Sequence, residues 1–138
     1  MIIDAATLTG ASVMATGGDY SALFSLDQPL ADKAKCAAKK VNEPVWQLPL
    51  EPWHQEKCPS EFADTANSRP IPVGGPGGAS NAAGFLSRFV PNEGKGWLHF
   101  DLSAAYNGNS NGLWAAGATG LGIATIANLL LSNQSDDD

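Results

Sequence analysis

The side chains best suited to chemistry lie at the end of one predicted strand. His99 and Asp101 are two residues apart in segment 97–102, so both point to the same face of a strand. This spacing suits a metal pair, or an imidazole oriented by a carboxylate. Ser103 follows, but neighbouring residues of one strand do not easily reach the geometry of a Ser-His-Asp triad. We expect a buried hydrogen bond between His99 and Asp101, or separate polar contacts of each, rather than catalysis.

Transition-metal ligands are scarce in this chain. The two histidines and two cysteines form neither a His-Glu-x-x-His nor a Cys-x-x-Cys arrangement. They are His54, His99, Cys36 and Cys58. The sequence therefore predicts no metal ligands within the chain.

The first eleven residues read as a strand that turns into a ligand-facing loop. Met1 to Ile3 is apolar, and residues 4–11 follow as Asp-Ala-Ala-Thr-Leu-Thr-Gly-Ala. Thr7 or Thr9 is suited to cap a helix, and Gly10 has a free choice of backbone conformation. Ligands of open α/β sheets bind at the carboxyl ends of strands. A helix cap behind a core strand explains the same pattern without a ligand.

A glycine-rich loop, Gly-Gly-Pro-Gly-Gly-Ala-Ser at 74–80, precedes a predicted helix. Backbone N–H groups at such a helix start can bind an anion, so an anion- or nucleotide-binding domain is one alternative. No Lys-Ser or Lys-Thr follows the glycines, and Gly-x-Gly-x-x-Gly is not matched. We favour a tight loop and close helix packing beside the substrate site.

Strand and helix signals alternate along the chain, which predicts an α/β layer structure. Because the first strand begins at the first residue of the chain, no upstream segment supplies neighbouring strands to the sheet. We therefore expect a sheet edge that is exposed to solvent or covered by a partner. We divide the chain into a domain over 1–131 and an acidic tail over 132–138 that nothing orders. The predicted elements are strands at 1–3, 20–26 and 97–102, an extended edge at 45–50, a helical turn at 53–58, and helices at 29–41, 80–90 and 121–131. Asp27 is suited to cap the first of these helices, and Pro29 fits its first turn.

Charge and composition exclude several classes of protein. The formal charge of −6 argues against nucleic-acid binding, because such affinity comes from Lys and Arg on phosphates. The start lacks a basic region, and Asp4 interrupts its apolar run, so no signal peptide is predicted. The last apolar stretch is far shorter than the roughly 20 residues that span a bilayer. Two well-separated cysteines fit a reducing compartment, and we expect a cytoplasmic protein without a membrane span.

Five stretches, in order, resemble the leucyl aminopeptidase family, the two-metal exopeptidases often called M17, and look closest to its bacterial peptidase B branch. They are Asp-Ala-Ala-Thr-Leu-Thr-Gly-Ala at 4–11, Glu-Phe-Ala-Asp-Thr-Ala-Asn at 61–67, Gly-Ala-Ser-Asn-Ala-Ala-Gly-Phe-Leu at 78–86, Trp-Leu-His-Phe-Asp-Leu-Ser at 97–103 and Gly-Ala-Thr-Gly at 117–120. The resemblance implies part of a mixed central sheet flanked by helices, from the C-terminal portion of the catalytic domain.

The resemblance also implies where the chemistry lies. Family members hold two divalent metal ions, Mn²⁺ or Zn²⁺, with a Lys and carboxylates upstream of the Thr-Leu-Thr-Gly loop, including an Asn-Thr-Asp-Ala-Glu-Gly-Arg stretch. These 138 residues contain no such stretch. We therefore expect no catalytic residue and no bound metal in this chain, which alone would be inactive. In the intact enzyme, a homo-hexamer, it would help release N-terminal residues from oligopeptides. The alternative is an inactive, truncated structural or oligomerisation module.

The same resemblance assigns substrate contacts. The backbone at Thr7, Leu8 and Gly10 would bind the peptide, and the Leu8 amide would lie near a bicarbonate-like anion. Ser103 and Tyr106 would line the pocket for the N-terminal side chain and make it more polar than a leucine-selective pocket. Asn67, with Ser68 beside it, would border the leaving-group side.

Overall fold

The structure, a computed structural model, describes residues 1–71, 75–110, 112 and 115–134. Gly74 of the glycine-rich loop and residues 135–138 of the predicted tail lie outside this part. The helices are α1 (Gly10–Thr16), α2 (Gln28–Val41), α3 (Gly78–Ser87) and α4 (Ile123–Gln134), with 3₁₀ helices at Pro52–Lys57 and Asn92–Gly94. The strands are β1 (Ile2–Ala6), β2 (Ser21–Phe24), β3 (Val45–Gln47), β4 (Trp97–Asp101), β5 (Tyr106–Asn107) and β6 (Gly117–Ala118).

The central sheet is mixed and has the strand order β1-β4-β2-β3. β1 runs parallel to β4, β4 antiparallel to β2, and β2 parallel to β3. β1 therefore forms one edge of this sheet, and β3 forms the other, as the prolines after Val45 predict. β5 and β6 pair as a separate two-stranded sheet.

Helices cover both faces of the central sheet. On one face, α2 and α4 pack against Leu23, Leu98 and Phe100. On the other, α3 packs against Phe24 and Trp97. The split follows from the period of two along a strand, which sends neighbouring side chains of β2 to opposite faces. The predicted α/β fold, a mixed sheet flanked by helices, is confirmed.

Local capping signals fixed the start of α2 as predicted. Asp27 is its N-cap and accepts a hydrogen bond from the Leu30 amide at 3.2 Å, and Pro29 lies in the first turn. The last helix differs from the prediction at both ends, because it begins at Ile123 and continues to Gln134. Its start is set by a distant carboxylate, since Glu43 accepts hydrogen bonds from three amides at this end, those of Gly122, Ala124 and Thr125.

The glycine-rich segment is tight where the structure describes it. Gly75 and Gly77 have positive φ of 65° and 73°, and α3 begins directly after Gly77. Close packing occurs further along α3, because a Cβ on Gly84 would lie 2.5 Å from the Cβ of His54. The predicted tight loop is confirmed at Gly75 and Gly77, whereas the close helix packing lies at Gly84, outside the predicted loop.

Candidate functional site

The loop between β1 and α1 begins where the first strand ends at Ala6. Thr9 is the N-cap of α1, with an extended backbone (φ −134°, ψ 139°), and its Oγ1 accepts a hydrogen bond from the Ser12 amide at 3.1 Å. Of the two threonines proposed as caps, Thr9 therefore has that role. Thr7 is exposed and follows directly after the strand.

The carboxylate of Asp101 anchors this loop from the neighbouring strand. One oxygen accepts hydrogen bonds from the amides of Leu8 (2.9 Å) and Thr9 (3.2 Å). The other accepts hydrogen bonds from the hydroxyls of Thr9 (2.6 Å) and Ser12 (2.5 Å). Asp101 is 1% exposed, so its negative charge is balanced by four donors of the loop rather than by water. Hydrogen bonds within the chain thus hold the loop in this conformation.

This anchoring involves the amide that the resemblance assigns to an anion. The resemblance places a bicarbonate-like anion beside the Leu8 amide. In the structure that N–H already donates to Asp101, so it is not free to bind an anion. The Leu8 side chain is 40% exposed.

His99 belongs to a separate polar network. Its Nδ1 lies 2.5 Å from Oδ1 of Asp4, and the indole N–H of Trp97 donates to the other Asp4 oxygen at 2.7 Å. The imidazole is fully buried and stacks near the rings of Trp97 and Phe24. Its Nε2 has no hydrogen-bond partner among the described residues. Of our two expectations for His99 and Asp101, separate polar contacts are confirmed.

No metal centre forms in the described part of the chain. Across those residues, no three His, Cys, Asp or Glu side chains come together in a group that could hold a metal ion. Ser103 is not part of a triad, since its hydroxyl donates to the Tyr20 carbonyl at 2.6 Å and lies 3.2 Å from Oγ1 of Thr16. The donor set of the described residues does not fit a two-metal site. Separately, no described helix has both the length and the apolar character to cross a bilayer.

A cleft of about 410 Å³ opens beside the anchored loop. It brings together three of the predicted substrate residues, Leu8, Gly10 and Asn67. Thr7, Ser103 and Tyr106 are not among its lining residues. Thr7 follows β1 and Ser103 follows β4, and these two strands pair with Ala6 opposite Asp101. Tyr106 lies in β5, and its side chain is 67% exposed. The predicted contacts thus divide between the cleft and the adjoining ends of β1 and β4.

The wall of the cleft opposite the loop was foreseen from the sequence only at Asn67 and Ser68. It comes from α3 and from the irregular segment before it, and it combines an apolar surface with one cation. Burial raises the pKa of the Cys58 thiol, against the opposing effect of two nearby guanidinium groups. The resemblance at 61–67 and 78–86 was the available signal, because both stretches contribute residues here. The additional lining residues are Thr9, Ala11, Cys58, Ser68, Arg69, Gly78, Asn81, Ala82, Phe85 and Leu86.

Comparison with known proteins places this arrangement in a family. The model of the cytosol aminopeptidase family, catalytic domain (Peptidase_M17), matches residues 1–127. The chain belongs to this family. It is 56% identical over 133 residues to "Peptidase B" of Pectobacterium carotovorum subsp. carotovorum and, to the same extent, to that of Pectobacterium atrosepticum. Each match covers 96% of the chain and 30% of the relative, so the chain spans under a third of these relatives' length.

Solved structures of family members share the fold. A mutant of tomato leucine aminopeptidase matches with a TM-score of 0.81 and 35% identity, over 96% of this chain and 24% of the other. The bottromycin maturation enzyme BotP in complex with Mn matches with a TM-score of 0.85 and 31% identity, over 96% of this chain and 29% of the other. The predicted family and its peptidase B branch are confirmed.

Proposed function

We propose that this chain supplies the substrate-positioning part of a metal-dependent aminopeptidase that releases N-terminal amino acids from oligopeptides. The observation that carries the proposal is the loop 7–10, held in one conformation by the four hydrogen bonds of the buried Asp101 and open on one side to the cleft. Membership of the cytosol aminopeptidase family supplies the reaction class. A loop that is fixed before the peptide arrives costs little reorganisation when it binds.

Two divalent metal ions, Mn²⁺ or Zn²⁺, belong to the proposed enzyme but not to these residues. The described residues form no group able to hold a metal, and the related BotP is described in complex with Mn. We therefore assign the metal ligands and the catalytic residues to a part of the enzyme that this chain does not contain. The enzyme would be a cytoplasmic homo-hexamer.

The individual contacts follow from the geometry of the loop. Backbone groups of Thr7, Leu8 and Gly10 would hold the main chain of the peptide. A Cβ built on Gly10 meets no atom within 4 Å, so the backbone there faces open space that a peptide can approach closely. For Leu8 the carbonyl is the group left for this contact, because its N–H is bonded to Asp101.

Two further regions complete the proposed site. Ser103 and Tyr106 would contact the N-terminal side chain. Because the Ser103 hydroxyl already donates to Tyr20, Ser103 would contribute polarity and small size rather than a free donor. Asn67, which lines the same cleft as Gly10, would contact the leaving group.

The experiment replaces Gly10 by Ala in a chimera in which this chain takes the place of the matching segment of P. carotovorum Peptidase B. The added methyl group meets no protein atom but enters the cleft, so we expect kcat/KM for Leu-p-nitroanilide to fall by about tenfold or more at unchanged melting temperature. Gly18→Ala is the matched control, since Gly18 is equally unobstructed and does not line the cleft. Equal activity of the two variants would contradict the proposed position of the peptide.

The alternative is a module that folds and packs without turnover. The lack of a metal-binding group among the described residues favours it for the isolated chain. A folded chimera without peptidase activity, alongside an active Peptidase B parent, would decide for this alternative.

A further inference from the structure

We propose that the cleft recognises a peptide carboxylate through Arg69, so that the enzyme selects peptides with a carboxylate on the leaving-group side of the scissile bond. The inference rests on the proposed function, because it takes the loop 7–10 as the place where the peptide main chain lies. It adds a selection that the family's reaction class does not specify.

The cleft has an uncompensated positive charge. Arg69 is the single ionised side chain among the described residues that line it, and no Asp or Glu is present in that lining. The neighbouring Cys58 stays neutral at physiological pH, because burial raises its pKa. A permanent guanidinium charge without a counter-charge is a site for an anion.

Much of the remaining wall is apolar, which strengthens this attraction. Leu8, Phe85 and Leu86 line the cleft together with Ala11 and Ala82. An ion pair gains more energy beside apolar surface than in open water, because solvent screens it less. The side-chain amides of Asn67 and Asn81, also in the lining, can act as neutral donors to the same anion.

Arg69 is held in place yet retains free donors. Its Nη1 donates to the Pro76 carbonyl at 3.1 Å, the same oxygen that accepts from the Asn81 amide at 3.2 Å. A guanidinium has five N–H donors, so this contact orients the group and leaves a pair of donors for a carboxylate. Within the described residues, Arg69 has no acidic partner.

Arg88 provides the contrast. It also lies close enough to affect Cys58, but its guanidinium donates to the carbonyls of Gln55 (3.1 Å) and Asp64 (2.8 Å), and it does not line the cleft. Arg88 therefore ties together two segments of the chain, whereas Arg69 faces the space that a ligand would fill.

The carboxylate can come from two sources. A dipeptide presents its C-terminal carboxylate close to the scissile bond, and a longer peptide can present the carboxylate of an Asp or Glu side chain somewhat further from it. Both are planar acceptors that match the guanidinium in a bidentate pair. The test separates them.

The experiment titrates peptides into the ¹⁵N-labelled 138-residue chain and follows the Nε–H resonance of Arg69 by NMR. Leu-Gly is compared with its C-terminal amide, and Leu-Glu-amide with Leu-Gln-amide. We expect the carboxylate-bearing member of at least one pair to shift this resonance and to bind about tenfold tighter, and Arg69→Gln to remove that difference. Arg88→Gln, or Arg88→Lys if the first variant does not fold, should retain it.

Equal binding within both pairs, or a difference that survives Arg69→Gln, would overturn the inference. The peptidase chimera distinguishes this from failure of the proposed function. Hydrolysis at equal kcat/KM within both pairs, Leu-Gly against its C-terminal amide and Leu-Glu-amide against Leu-Gln-amide, would refute selection by Arg69 while leaving the aminopeptidase proposal intact. Carboxylate-dependent binding without any hydrolysis would refute the aminopeptidase proposal and leave the Arg69 site in place.

Discussion

Replacing Asp101 by Ala should unfold the loop 7–10 and destabilise the whole domain. The substitution removes the acceptor of four hydrogen bonds in a side chain that is 1% exposed. The hydroxyls of Thr9 and Ser12 are 3.1 Å apart and can still bond to each other. The amides of Leu8 and Thr9 have no such replacement.

The magnitude follows from these contacts. Each amide that loses its acceptor in a buried site costs about 1–3 kcal/mol, and the loss of the charge-assisted bonds to the hydroxyls adds to this. We therefore expect the free energy of unfolding to fall by about 3–5 kcal/mol, a large part of the roughly 5–15 kcal/mol of a typical domain. Asp101→Asn keeps one carbonyl acceptor and should lose about half as much.

The assay is urea unfolding with linear extrapolation, combined with hydrogen exchange of the Leu8 and Thr9 amides. Asp32→Ala is the matched control, because Asp32 lies on the exposed surface of α2 and pairs only with side chains there. It should leave the unfolding midpoint unchanged. An Asp101→Ala variant within about 1 kcal/mol of the parent, with both amides still protected, would refute the anchoring role.

Three further predictions concern packing, capping and titration. Gly84→Ala should destabilise the chain by about 1–3 kcal/mol in thermal unfolding, although Ala favours helices, because its Cβ would lie 2.6 Å from backbone atoms of His54; a neutral effect would contradict the close approach. Glu43→Ala should lower the free energy of unfolding by about 1–2 kcal/mol and raise exchange at the first amides of α4, while unchanged exchange would contradict the cap. Because burial raises the pKa of Cys58, the folded state keeps this proton to higher pH than the unfolded chain does. The resulting stability is fully present below the unfolded-state pKa of about 8.5 and is lost as pH rises through the folded-state pKa. Urea unfolding between about pH 7 and pH 10 should show this loss of stability. The variant Cys58→Ala should not show this pH dependence.

Short-range signals were enough to predict much of the fold. The N-caps Thr9 and Asp27 act on amides three residues away, so residue type and spacing identify them. Strand β4 and the edge position of β3 follow from apolar runs and prolines in the same way. Helix α4 was placed less accurately, because its start depends on Glu43, about 80 residues earlier in the chain.

The candidate site depended on contacts that local patterns do not contain. Asp101 meets Leu8 and Asp4 meets His99 across more than 90 residues, so the sequence showed His99 and Asp101 as a pair although each has a different partner. The parallel pairing of β1 with β4 determines which residues become partners, and this pairing is known only once the strand order of the sheet is known. Arg69 was missed because it lies between the two stretches, 61–67 and 78–86, that resemble the family.

The central claim is that this chain positions the peptide but does not hold the metals. The direct measurement is hydrolysis of Leu-p-nitroanilide with added Mn²⁺, by the 138-residue chain alone and by its chimera with P. carotovorum Peptidase B. We predict hydrolysis by the chimera and none by the chain alone. Hydrolysis by the chain alone would contradict the account, because the metal ligands would then have to lie within these 138 residues.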